Sequence, residues 1–156
     1  MDEEKMARAK QALDTLCAAL DAEDWNYQKD EEKLEMTCTA QGEDLPMEIS
    51  VRMVPKQQIA LLMSEMPFRV PEDKLVEMAV AVTIANDSLV DGSFDYDIRS
   101  GRIWFRLTSS FMDSQVSMEM FTYMVYCSCQ TVDEFNDKFL MIAKGVMSAN
   151  DLLPND

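Results

Sequence analysis

The sequence predicts an α+β fold, an antiparallel five-stranded sheet with helices packed on one face, in the order α-β-β-β-α-β-β-α(α). Three observations carry this expectation. Several short runs alternate apolar and polar residues, the period of half-buried strands. A tight turn at Ser100-Gly101 separates two such runs. Between and around them, apolar residues recur at three- and four-residue steps, the period of amphipathic helices. The chain has 156 residues, 47 % hydrophobic and 28 % charged, with 4 glycines and 5 prolines, which is a globular composition of single-domain size.

The first helix is expected over about residues 3 to 21, where Met6, Ala9, Leu13, Leu16, Cys17 and Leu20 share a face. Leu34, Met36, Cys38 and Ala40 then alternate with polar residues, as do Met47, Ile49, Val51 and Met53. The turn Gln41-Gly42-Glu43-Asp44 joins these two strands, and pairing Ala40 with Leu45 sets Cys38 opposite Met47 and Met36 opposite Ile49. A three-residue loop, Pro55-Lys56-Gln57, leads into a third strand with Met53 opposite Ile59 and Val51 opposite Leu61. That register turns Leu62 to the outer face.

Pro71 suits a first helical turn, and Glu72 and Asp73 suit the positive end of its dipole, so a second helix is expected over about 71 to 87. Leu75, Met78, Ala79, Val82 and Ala85 form its apolar stripe; Val76, Val80 and Ile84 widen that stripe and suggest burial against a second surface, a neighbouring helix or a second subunit. The Ser100-Gly101 hairpin pairs Ile98 with Ile103, Tyr96 with Phe105 and Phe94 with Leu107 on one face, leaving Asp95, Asp97, Arg102, Trp104 and Arg106 on the other. Residues 114 to 130 read as a helix by length, and Thr131-Val132-Asp133-Glu134 has the form of a capping box, which predicts a break near Gln130 and a further helix to about Met147. One domain over residues 1–147 and a frayed tail over 148–156 are expected.

The absence of histidine excludes Ser-His-Asp and Cys-His dyads, His-containing zinc sites and histidine proton shuttles within these residues. A net charge of -15, from 29 acidic and 14 basic residues, argues against nucleic acid and anionic membranes as partners. The first residues carry no secretion-signal pattern, and no apolar run approaches the roughly 18 residues of a membrane span, so a cytoplasmic location is expected. Cys17, Cys38, Cys127 and Cys129 lack C-x-x-C spacing and read as small buried hydrophobes.

No Walker, dinucleotide-binding or G-x-S-x-G pattern occurs, and Asp87, Asp91, Asp95 and Asp97 lack the glycine and closing glutamate of a calcium loop. Asp95 and Asp97, two apart on one strand, could form an acid/base pair, but arginines across the hairpin make ordinary charge pairing the stronger reading. No catalytic residue, cofactor or metal is expected.

The element order, the acidity, and the stretch from Ile84-Ala85-Asn86 through Gly92-Ser93-Phe94 to Ser100-Gly101-Arg102-Ile103 resemble the YbjN family of bacterial sensory transduction regulators, over roughly residues 5 to 147. That resemblance implies the fold of type III secretion chaperones, and a small, often dimeric, cytoplasmic protein that binds other protein segments. It transfers no catalytic residue.

Within that reading the candidate partner-binding residues are Leu62, Arg102, Trp104, Arg106 and Met120. Trp104 stands beside two arginines on the polar face, either as a binding hot spot or as a cation-π shield for the sheet. The 14 methionines are adaptable contact residues or core filler, with Met36 and Met53 core and Met120 exposed. A homodimer is expected through Val76, Val80 and Ile84, with a protein or peptide segment as partner. A dedicated chaperone for one secreted effector and, more remotely, an enzyme using the acidic strand face are the alternatives.

Overall fold

The computed structural model describes residues 2–155. Asp2 caps the first helix, α1 (Glu3–Ala22), by accepting a 3.0 Å hydrogen bond from the Glu4 N–H, and Glu3 and Glu4 place negative charge at its positive end. Ala9, Ala12, Leu13, Leu16, Cys17, Ala19 and Leu20 are buried along its inner face. The strands follow as β1 (Gln28–Asp30), β2 (Glu35–Gln41), β3 (Pro46–Val54) and β4 (Ile59–Glu65), and after the second helix β5 (Ser93–Asp97) and β6 (Arg102–Ser110). All neighbours pair antiparallel in the order β1-β2-β3-β4-β6-β5, so the sheet has six strands rather than five. The additional strand, β1, is a three-residue polar edge piece without apolar alternation, which is why the sequence pattern does not reveal it.

The register differs from expectation in three hairpins, with different consequences. In β2/β3 the partners are Ala40 with Met47, Cys38 with Ile49 and Met36 with Val51, a shift of two residues that preserves the faces. In β5/β6 the loop is the four residues 98–101, closed by a 2.8 Å bond from the Gly101 N–H to the Asp97 carbonyl; Tyr96 pairs with Ile103 and Phe94 with Phe105. Here too the faces survive, and only Ile98 leaves the apolar side for the loop.

The β3/β4 turn is different. Gln58 belongs to it, in the left-handed region at φ 54°, with its N–H on the Pro55 carbonyl and its own carbonyl accepting from the Phe111 N–H at 2.9 Å. The turn therefore has one residue more than expected, Val54 pairs with Ile59, and β4 is inverted. Ala60, Leu62 and Ser64 enter the core, and Leu61 and Met63 take the outer face. Leu62 is fully buried and is corrected from the outer face to the core.

A 3-10 turn (Glu72–Lys74) leads into α2 (Leu75–Asp87), with Met78, Ala81, Val82 and Ala85 buried. The third helix, α3 (Met118–Ala143), is capped by Ser117 on the Met120 N–H and runs without a break through Gln130. The expected interruption is absent because the buried stripe Phe121, Val125, Ser128, Val132, Phe135 and Phe139 continues across that point, rewarding an unbroken helix. Asp133, read as part of a capping box, serves another chain segment: its Oδ1 accepts from the Glu43 N–H at 2.9 Å and closes the β2/β3 turn. Residues 148–152 are not frayed. Ser148 and Asp151 cap a 3-10 helix (Ala149–Leu152) that docks on α2, where the Ala149 N–H donates to Glu77 at 3.1 Å.

The core lies between the helices and one face of the sheet. Phe94 sits edge-on to Phe105, Phe135 and Phe139 with ring centroids 5.1 to 5.5 Å apart. Asn86, at the end of α2, is bonded to both backbone groups of Phe94: its amide donates to the carbonyl at 2.9 Å and its carbonyl accepts from the N–H at 2.7 Å. The side chain thus substitutes for a neighbouring strand at the β5 edge.

Candidate functional site

Alternation along the strands leaves one sheet face without a helical layer among the described residues, and this face carries the site. Cross-strand pairing sets Gln28, Thr37, Ser50, Met63, Arg106 and Ser93 side by side in one row across all six strands. The neighbouring row on the β6 side holds Glu65, Trp104 and Asp95. A groove of about 810 Å³ runs over this face from Arg102, Trp104 and Glu65, past Met63 and Ser50, to Tyr27 and Thr39.

At one end the Arg102 guanidinium grips Glu65 with both oxygens engaged, at 2.7 and 3.1 Å, and lies 5.4 Å from the centroid of the Trp104 ring. Arg106 bonds Asp95 at 2.9 Å. Asp97 turns into the hairpin loop, accepting from the Arg99 backbone and side chain and from the Ser100 hydroxyl. The Arg102 hydrogen bond holds the Glu65 carboxyl below its ordinary range, and the Arg99 N–H does the same for Asp97.

Of the residues expected to meet a partner, Arg102, Trp104 and Arg106 are brought together on the outer face of β6, with Trp104 half-buried. Leu62 is in the core. Met120 is 44 % exposed on α3, in the helical layer, and does not join the other three. Leu61, Met63 and Glu65 are the residues the sequence reading missed; counting Gln58 as a turn residue would have exposed them. On α2, Val76 is 73 % and Val80 47 % exposed, while Ile84 is half-buried.

The cysteines are free, with Cys17 and Cys38 buried and Cys127 and Cys129 half-buried. Burial pushes the thiols of Cys38 and Cys129 up to about 11, so both are protonated at neutral pH and unsuited to nucleophilic attack. Among the described residues no group of three Asp, Glu or Cys side chains is arranged to hold a metal ion, and no helix is long and apolar enough to cross a membrane.

The family model described as "Putative bacterial sensory transduction regulator", YbjN, matches residues 12–141. Among solved structures the chain is similar to YbjN from E. coli, described as "a putative transcription regulator", with a TM-score of 0.61 and 16 % identity over 81 % of this chain and 92 % of that one. At that identity the likeness shows a shared fold. No curated protein matches the sequence.

Proposed function

Because the chain belongs to the YbjN family, we propose that it is a non-enzymatic regulatory module that acts by holding a segment of another protein in the outer-face groove of its sheet. The observation that carries this reading is Trp104: a large aromatic left half-buried on an uncovered sheet face, with one arginine against its ring and a groove beside it. Aromatic and arginine side chains so placed are the usual anchors of protein interfaces. Protein rather than DNA is the proposed partner, because a net charge of -15 opposes phosphate contacts.

The reading includes self-association of two copies through Val76, Val80 and Ile84. It is supported by the exposed valines one helical turn apart on α2. The test of partner binding is affinity capture from native lysate with wild type and Trp104→Ala, followed by quantitative titration of the partner recovered. Trp104→Ala is expected to keep the melting transition and to weaken binding by ~2 kcal/mol or more. Undiminished affinity would reject the groove. A single dominant secreted partner would narrow the reading to a dedicated chaperone.

A further inference from the structure

The two edges of the sheet are treated differently. At the β5 edge, the Asn86 amide occupies both backbone groups of Phe94, so an added strand would have to displace it. At the other edge, β1 covers only part of β2, pairing Asp30 with Glu35, Lys29 with Met36 and Gln28 with Thr37, and there it stops. The Met53 N–H donates to the Leu34 carbonyl at 2.9 Å, which fixes the parity of the ladder: even-numbered residues of β2 point their backbone groups at β3, and odd-numbered ones point outward. Glu35 and Thr37 meet β1. Thr39 and Gln41, both exposed, have no strand paired beyond them among the described residues, and Asn26 and Tyr27 line the groove beside Thr39.

The charges around this open edge are mainly acidic, and Lys29 of the neighbouring β1 is engaged by Asp14 and Glu31 at 2.7 and 3.3 Å. No Lys or Arg occurs in residues 11–28, 34–51 or 107–137, which supply the end of α1, strands β2 and most of β3, and most of α3. Glu48 pairs with Thr39 across the ladder, Glu43 and Asp44 form the adjoining turn, and Glu23 and Asp24 precede β1. Among the described residues none of these five carboxylates has an ion-pair partner. The groove over the outer face ends at this edge, at Tyr27 and Thr39.

We propose that the free edge of β2 at Thr39–Gln41 is a strand-addition site for an extended, cationic protein segment, in line with β1. Main-chain hydrogen bonds to Thr39 and Gln41 provide the pairing, and the uncompensated carboxylates select Lys- or Arg-bearing segments. This deepens the proposed function and rests on it, since the added strand would enter at the end of the same groove.

The probe is a blocked alternating Lys-Val hexapeptide, with the Glu-Val hexapeptide as control, titrated into the full chain at low and high salt. The expected result is peptide-dependent shifts of the Thr39 and Gln41 amide resonances, binding that weakens with salt, and no shifts from the control peptide. Thr39→Pro removes only an outward N–H and no bond to β3, a placement proline tolerates on edge strands; it is expected to weaken the Lys-Val peptide about tenfold with the melting transition retained. Should that variant fail to fold, a Lys-Val peptide N-methylated at alternate residues makes the same test on the wild-type chain. Binding indifferent to Thr39→Pro or to N-methylation, or absent from the Thr39 and Gln41 amides, overturns the strand-addition site. Loss of the captured partner in Trp104→Ala with the peptide result negative would leave the groove standing and remove the edge alone.

Discussion

Replacing Asn86 by alanine removes two hydrogen bonds at once, of 2.9 and 2.7 Å, from the backbone of Phe94, whose ring is buried among Phe105, Phe135 and Phe139. Each bond is worth about 1 kcal/mol net, and part-buried groups left without partners add to that, so the loss should be about 2 kcal/mol or somewhat more. For a chain of this size that lowers the Tm by roughly 4–8 °C. Asn86→Asp keeps the acceptor for the Phe94 N–H but sets a carboxylate oxygen against the Phe94 carbonyl, so it should destabilise at least as much at neutral pH. Urea unfolding followed by circular dichroism measures both, with m unchanged if the variants act on the folded state. A loss below about 0.5 kcal/mol for Asn86→Ala would refute the edge-sealing role.

Three further outcomes follow from the same structure. Leu62→Ala should lose about 2–5 kcal/mol and Leu61→Ala less than about 1 kcal/mol in urea unfolding, because only Leu62 is enclosed in the core; the reverse ranking would contradict the inverted β4 register. Glu65 has a folded pKa below its unfolded value of about 4.3, so its contribution is fully present above that value and is lost as pH falls through the folded pKa. The stability difference between wild type and Arg102→Ala should therefore shrink as pH drops from about 5 to below 4, and a difference of constant size would remove the Glu65 linkage. Val80→Arg should convert the proposed dimer to monomer by sedimentation at tens of micromolar; a monomeric wild type would dismiss the α2 interface.

Much of this arrangement is legible in the sequence because binary patterning is a strong signal. The faces of β2, β3, β5 and β6 follow from alternation alone, and a register slip of two residues leaves them unchanged. That is why Arg102, Trp104 and Arg106 are placed together despite the longer hairpin loop. A slip of one residue is fatal to the same logic. At β4, Ile59-Ala60-Leu61-Leu62-Met63 is apolar on both faces, so the pattern does not choose between them; the turn does, through the left-handed conformation of Gln58. The capping-box form at Thr131 fails for a related reason. Local motifs are decided by tertiary context, and Asp133 is committed to a turn 90 residues away. Asn86 was visible as a residue of the family resemblance, but its work is sealing an edge, which only the pairing geometry reveals.

The central claim, a partner held on the outer face against Trp104, is tested most directly by the fluorescence of Trp104 itself. Trp25→Phe leaves it the sole tryptophan of the chain. Titration of this variant with the partner recovered by capture should shift the emission to shorter wavelength and protect it from quenching by acrylamide, saturating with the binding isotherm. An emission spectrum and quenching that stay unchanged while the partner binds would contradict the account.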